Sequence, residues 1–131
     1  MKIRVASSKE EIPTLKNEEI VHMAFRPSNK DIFTLVETCP KLKAIQIPTS
    51  YTKTIKAMSK STLMFLEMRG IELLEGDVWG YRKDISGYYE IKHQIIDRIE
   101  ELKNEGKSQN EIISLLGKET RLGKDLIGFL V

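Results

Sequence analysis

Apolar and polar residues alternate in four short segments of the chain: Ile3-x-Val5, Met23-x-Phe25, Ile45-x-Ile47 and Ile71-x-Leu73. A period of two is the signature of a β-strand, whose successive side chains point to opposite faces. The segments start 20, 22 and 26 residues apart, and three have another apolar residue three positions earlier, at Ile20, Leu42 and Met68. Apolar-x-x-apolar-x-apolar at this spacing is the core of a leucine-rich-repeat-like unit, whose period is roughly 20 to 29 residues.

Between the strands the period lengthens to that of a helix. Ser8 and Glu11 have capping-box spacing ahead of a short helix, and Ser28 with Asp31 opens a second that carries Ile32, Leu35 and Val36 until Pro40 stops it. A third, longer helix is read from Tyr51, Ile55, Met58, Thr62, Phe65 and Leu66, closed by Gly70. Strand, helix, strand at this length demands a parallel pairing with a right-handed crossover. The fold class is therefore α/β, a four-stranded parallel sheet with helices over one face. Arg4, Ala24, Gln46 and Glu72 take the alternate positions, which predicts a polar row on a second face that is open or only partly covered.

Past residue 76 the pattern changes. Gly76, Gly80 and Gly87 punctuate a stretch holding Trp79, Tyr81, Tyr88 and Tyr89 that reads as a loop or linker. Ile91, Ile95, Ile99 and Leu102 then mark an amphipathic helix ended by Gly106; Ser108 and Glu111 cap another with Ile112, Leu115 and Leu116 up to Gly117; and Leu122, Leu126, Ile127 and Leu130 form a third. The organisation expected is a βα-repeat domain over 1–76, a loop or linker over 77–90, and a helical segment over 91–131.

Composition narrows this picture. With 131 residues, 40% of them hydrophobic, the chain can bury one core and is too short for a multidomain enzyme. Apolar runs such as Ile112-Ile113 fall far short of the ~18 to 20 residues that span a bilayer, and no apolar signal core follows Met1, so a cytoplasmic protein without membrane attachment is expected. The single Cys39 excludes an internal disulfide, and with only two histidines beside it no structural zinc site is expected.

The net charge of +2 is modest, so attraction to polyanions must come from its distribution. No Asp or Glu lies between Glu37 and Glu67, while Lys41, Lys43, Lys53, Lys56 and Lys60 do. Lys53, Lys56 and Lys60 fall on one face of the third helix at three- and four-residue spacing, as a stripe that can meet phosphates or simply be solvated. The segment from Ser108 to Gly117 looks like the first helix and turn glycine of a helix-turn-helix, with Lys118, Arg121 and Lys124 as its candidate nucleic-acid contacts. Its turn reads as lengthened, and residues 91–131 balance seven Lys/Arg against seven Asp/Glu, where a DNA reader usually has a basic excess.

Loops at the C-terminal ends of parallel strands are the usual ligand sites of α/β proteins. Here they supply Arg26, Ser28, Ser50, Tyr51, Asp77 and Trp79 as candidates for binding a small anion, although the hydroxyls also serve as helix caps. No phosphate loop, nucleophile with a base, or metal-ligand spacing is present, so neither catalysis nor a cofactor is expected. Cys39 reads as a packed thiol and His22 as a structural histidine.

The stretches KIRVASSKEEIP (Lys2 to Pro13), AFRPSNKDIF (Ala24 to Phe33), ETCP (Glu37 to Pro40) and EGDVWG (Glu75 to Gly80) together resemble a family of short archaeal proteins of unknown function, found mainly in methanogens. The resemblance implies an archaeal, cytoplasmic origin and supplies no activity. The residues themselves point to a non-catalytic regulatory protein associated with DNA or RNA. The alternatives are a protein-interaction module that uses Arg4, Gln46 and Glu72 on the open sheet face, in a complex or a homodimer, and small-anion binding at the strand ends.

Overall fold

The computed structural model describes residues 1–78 and 87–131. Five strands form one sheet: β1 (Lys2–Ala6), β2 (Ile20–Met23), β3 (Ala44–Ile47), β4 (Glu72–Glu75) and β5 (Tyr88–Glu90), in the order β4-β3-β2-β1-β5. β1 to β4 are parallel, as the repeat spacing requires. β5 runs antiparallel to β1 and falls inside the stretch read from sequence as a linker, so the sheet has one strand more than the repeats supplied. Trp79, Tyr81, Arg82 and Lys83 lie outside the described residues.

A 3₁₀ helix (Lys9–Thr14), α1 (Asn29–Thr38), α2 (Thr52–Ala57) and α3 (Lys60–Met68) connect the parallel strands and cover one face. The caps are those the sequence announces. Ser28 Oγ accepts from Asp31 N at 3.1 Å while Asp31 Oδ2 accepts from Ser28 N at 2.9 Å, and Gly70 leaves α3 at φ +68°, a conformation only glycine adopts without strain. Ile12, Leu15, Ile32, Leu35, Val36, Met58 and Leu66 meet Val21, Met23, Ile45 and Ile47 of the sheet. Each full burial of such a side chain contributes about 1.5–3 kcal/mol.

The expected third helix is two. α2 ends at Ala57, Met58 turns into the core, and Ser59 starts α3 by accepting from Thr62 N at 3.2 Å. A cap inside an apolar stripe is invisible to a periodicity reading, which runs straight through it. Lys53 and Lys56 therefore sit on α2 and Lys60 opens α3, so the three form no single helical stripe.

The second face is not open. Helices α4 (His93–Asn104), α5 (Gln109–Glu119) and α6 (Lys124–Leu130) lie over it, and Ile99, Leu102, Ile112, Leu116, Leu122, Leu126 and Ile127 pack on Ile3, Ile20, Ala44 and Leu74. All four residues of β2 and all four of β3 are buried, as in a sheet sandwiched between helix layers. Nor does the polar row exist. β2 covers Ile20–Met23 rather than Met23-x-Phe25, and the register pairs Arg4 with Val21, Val21 with Ile45, and Gln46 with Leu74. A strand boundary displaced by one position puts side chains on the opposite face. Arg4 thus lies beside the 3₁₀ helix, 3.8 Å from Glu11, Gln46 is wholly buried under the C-terminal helices, and Ala24 is past the end of β2. Among the described residues no helix is long and apolar enough to cross a membrane.

Candidate functional site

The segment after β3, Pro48 to Lys53, has a cleft on either side of it at the C-terminal edge of the sheet. The first cleft holds about 400 Å³ between the β2–α1 turn and α2, and is lined by Arg26, Ser28, Asn29 and Lys53 over Pro27, Ala57 and Met58. The second holds about 310 Å³ where the end of β4 meets the start of α6, and is lined by Thr49, Asp77, Arg121 and Lys124 with Gly76 and Gly123 at its base.

The second cleft exists because two backbones touch there. A Cβ on Gly123 would lie 3.3 Å from both Glu75 O and the Gly76 Cα, so a side chain would force the two backbones slightly apart. Asp125 Oδ2 accepts from Glu75 N at 2.8 Å and Asp77 Oδ1 from Thr49 N at 3.3 Å, each carboxylate holding one element against another. Beneath Gly76 lies a buried polar pair that the sequence reading missed: His22 Nδ1–H donates to Gln46 Oε1 at 3.1 Å. Among the described residues Gln46 Nε2 has no partner, and a Cβ on Gly76 would come within 2.7 Å of it.

Burial pushes the His22 imidazole below its ordinary value of 6.5, against smaller opposing effects from the Gln46 hydrogen bond and the Asp77 charge. The unfolded chain then binds a proton that the folded chain refuses, so stability is complete above about 6.5 and falls as the pH drops through and below that value. Urea midpoints measured from pH 8 to 5 are expected to decline along this limb in the native protein. His22→Leu is expected to flatten the limb, with a constant loss from the unpaired Gln46 oxygen; a parallel decline in both proteins would show that His22 carries none of it.

The structure reorganises the sequence-derived candidates. Arg26, Ser28 and Lys53 share the first cleft, and the Arg26 guanidinium lies 5.8 Å over the half-buried Tyr51 ring. Asp77, Arg121 and Lys124 share the second. Lys118 is exposed at the end of α5, Ser50 lines neither cleft, and Trp79 lies outside the described residues. Asn29, Thr49, Gly123 and Asp125 were not among the sequence-derived site residues, and Gly76 was read only as loop punctuation, because what each touches is remote in the chain. Cys39 is buried, its thiol donates to Glu18 O at 2.9 Å, and burial raises its pKa, all of which suits a packed thiol.

The helix-turn-helix region is tighter than its glycine implied. α5 continues through Gly117 to Glu119, where Thr120 Oγ1 donates to Leu116 O at 2.7 Å and stops it. The turn is thus Thr120 to Gly123, four residues, within the usual length. Four of the seven acids that balanced the charge are engaged elsewhere: Arg98 joins Glu101 at 2.8 Å and Glu119 at 3.2 Å, Lys107 pairs with Glu111, and Asp125 faces the sheet. Lys118, Arg121 and Lys124 are exposed at the one α5–α6 corner.

Residues 2–87 match the model of the N-terminal domain of a family of unknown function (DUF1699), and residues 94–131 match that family's C-terminal HTH domain. No curated protein and no solved structure matches the chain.

Proposed function

The chain belongs to the DUF1699 family, and from that premise we propose that it is a non-catalytic, nucleic-acid-associated regulatory protein that meets duplex DNA at the α5–α6 corner. The observation that carries this reading is the grouping of Lys118, Arg121 and Lys124, all exposed, around a four-residue turn in a domain of HTH type.

The same geometry limits how the corner reads its target. α6 has seven residues; Leu126 and Ile127 are fully buried, and Asp125 is committed to Glu75 N. Few side chains are left for base edges, so phosphate contacts dominate and the sequence preference is modest. A homodimer would present two such corners and steepen the salt dependence accordingly. An archaeal cytoplasmic setting, implied by the resemblance of the N-terminal stretches, accords with this role.

The test is a fluorescence anisotropy titration of labelled duplex DNA at several salt concentrations. Binding that weakens linearly in log–log form, with a slope of about −0.9 for each phosphate neutralised, is the expected result. A flat titration at low salt would sink the reading.

A further inference from the structure

We propose that the cleft between the β2–α1 turn and α2 is a second nucleic-acid site, one that takes an unstacked nucleotide of a single strand. Arg26 and Lys53 line the cleft and no carboxylate does. Asn29 Oδ1 accepts from Thr62 Oγ1 at 2.9 Å and from Ser59 N at 3.5 Å, which joins the start of α1, where Lys30 follows in the chain, to the start of α3, which Lys60 opens. These four cations are exposed, and among the described residues none is held in an ion pair. The nearest acid in sequence, Asp31, is committed to the Ser28 cap, and the chain has no further acid between Glu37 and Glu67. Among the described residues, positive charge is concentrated here with no carboxylate lining the cleft.

The shape favours more than a phosphate. A volume of about 400 Å³ exceeds what one phosphate needs and lies within the range of organic-ligand sites. Pro27, Ala57 and Met58 give it apolar walls, while Asn29, its oxygen already occupied, has its Nδ2 group left to donate. The Arg26 guanidinium, over Tyr51, offers a planar cation on which a base can stack. A duplex keeps its bases inside the stack and cannot place one between such walls, whereas a single strand can splay one out with its phosphates on the rim. The site is separate from the α5–α6 corner, although both lie at the C-terminal edge of the sheet.

The experiment is an anisotropy titration of the full chain with a labelled single-stranded oligonucleotide of about 10 nucleotides, at several salt concentrations. Binding is expected, with a log–log salt slope of about −0.7 per phosphate contacted. Arg26→Glu with Lys53→Glu is expected to weaken it about tenfold or more. Ala57→Glu, which keeps both cations and places a carboxylate on an exposed wall, is expected to weaken it as well. Lys118→Glu with Lys124→Glu is expected to weaken it less than the Arg26/Lys53 variant does. Absence of binding at low salt, or undiminished binding by the Arg26/Lys53 variant, overturns the proposal. So does a nucleoside monophosphate that binds as tightly as the oligonucleotide, since the cleft would then hold a small ligand. Duplex affinity is read with a different probe and different variants, so the proposed function and this site fail separately.

Discussion

A chain cut after Glu90 is expected to lose its cooperative unfolding transition, and Ile127→Ala in the full chain is expected to cost about 2–5 kcal/mol. The reason is the second face of the sheet. Ile3, Ile20, Ala44 and Leu74 are covered by α4–α6, and Leu126 and Ile127 at the centre of that contact are fully buried. Without the helices a contiguous apolar face meets water, and its strands lose half of their packing. Native stability is typically only about 5–15 kcal/mol, so one deleted isoleucine side chain removes a large share of it. Urea denaturation followed by circular dichroism checks both variants. A loss below about 1 kcal/mol for Ile127→Ala, or a cut chain that still unfolds cooperatively, would show that the C-terminal helices are an appendage to a sheet that stands alone.

Lys118→Glu combined with Lys124→Glu should weaken duplex binding at least tenfold at moderate salt and make the log–log salt slope shallower by about 2. Both side chains are exposed, and among the described residues neither forms an ion pair, so reversal changes the surface field without unsettling the core. Lys43→Glu supplies the control. It is exposed and paired with Glu19 at 3.5 Å just before β3, at the opposite edge of the sheet, and its reversal should leave affinity unaltered. Equal losses from Lys43→Glu would mean that net charge governs binding, and the α5–α6 corner would have no special part in it.

Much of the local structure was legible. Ser28 with Asp31 announced α1, Ser108 with Glu111 announced α5, and Gly70 and Gly106 closed helices at positive φ where they were expected to. Four parallel strands followed from the spacing of segments starting at Ile3, Met23, Ile45 and Ile71, although the second was set too far along the chain. The errors share one character. Ser59 sat unnoticed inside an apolar stripe, Gly117 was taken for the turn because a glycine can end a helix, and Tyr88 to Glu90 was passed over because three residues carry too little alternation to register.

Of the candidate site, the residue types were visible and their partnerships were not. Arg26 and Lys53 are 27 positions apart, and Asp77 and Arg121 are 44 apart, yet each pair shares a cleft. The His22–Gln46 pair gave no signal at all, since each residue taken alone is an ordinary polar residue in an apolar strand.

What the sequence by itself determined was local: the caps at Ser28 and Ser108, the helix stops at Gly70 and Gly106, the β period, the parallel pairing imposed by short crossovers, and the cation-rich, acid-free stretch between Glu37 and Glu67. These arise from interactions between near neighbours, and the pattern of residues states them directly. Only the tertiary structure decided that Arg4 and Gln46 would take opposite faces of the sheet, that α4–α6 would close the face of Gln46, and that Gly76 and Gly123 would meet. Register, layer packing and close backbone approach depend on how remote segments fit against one another, and a one-residue slip inverts them while leaving local propensities unchanged.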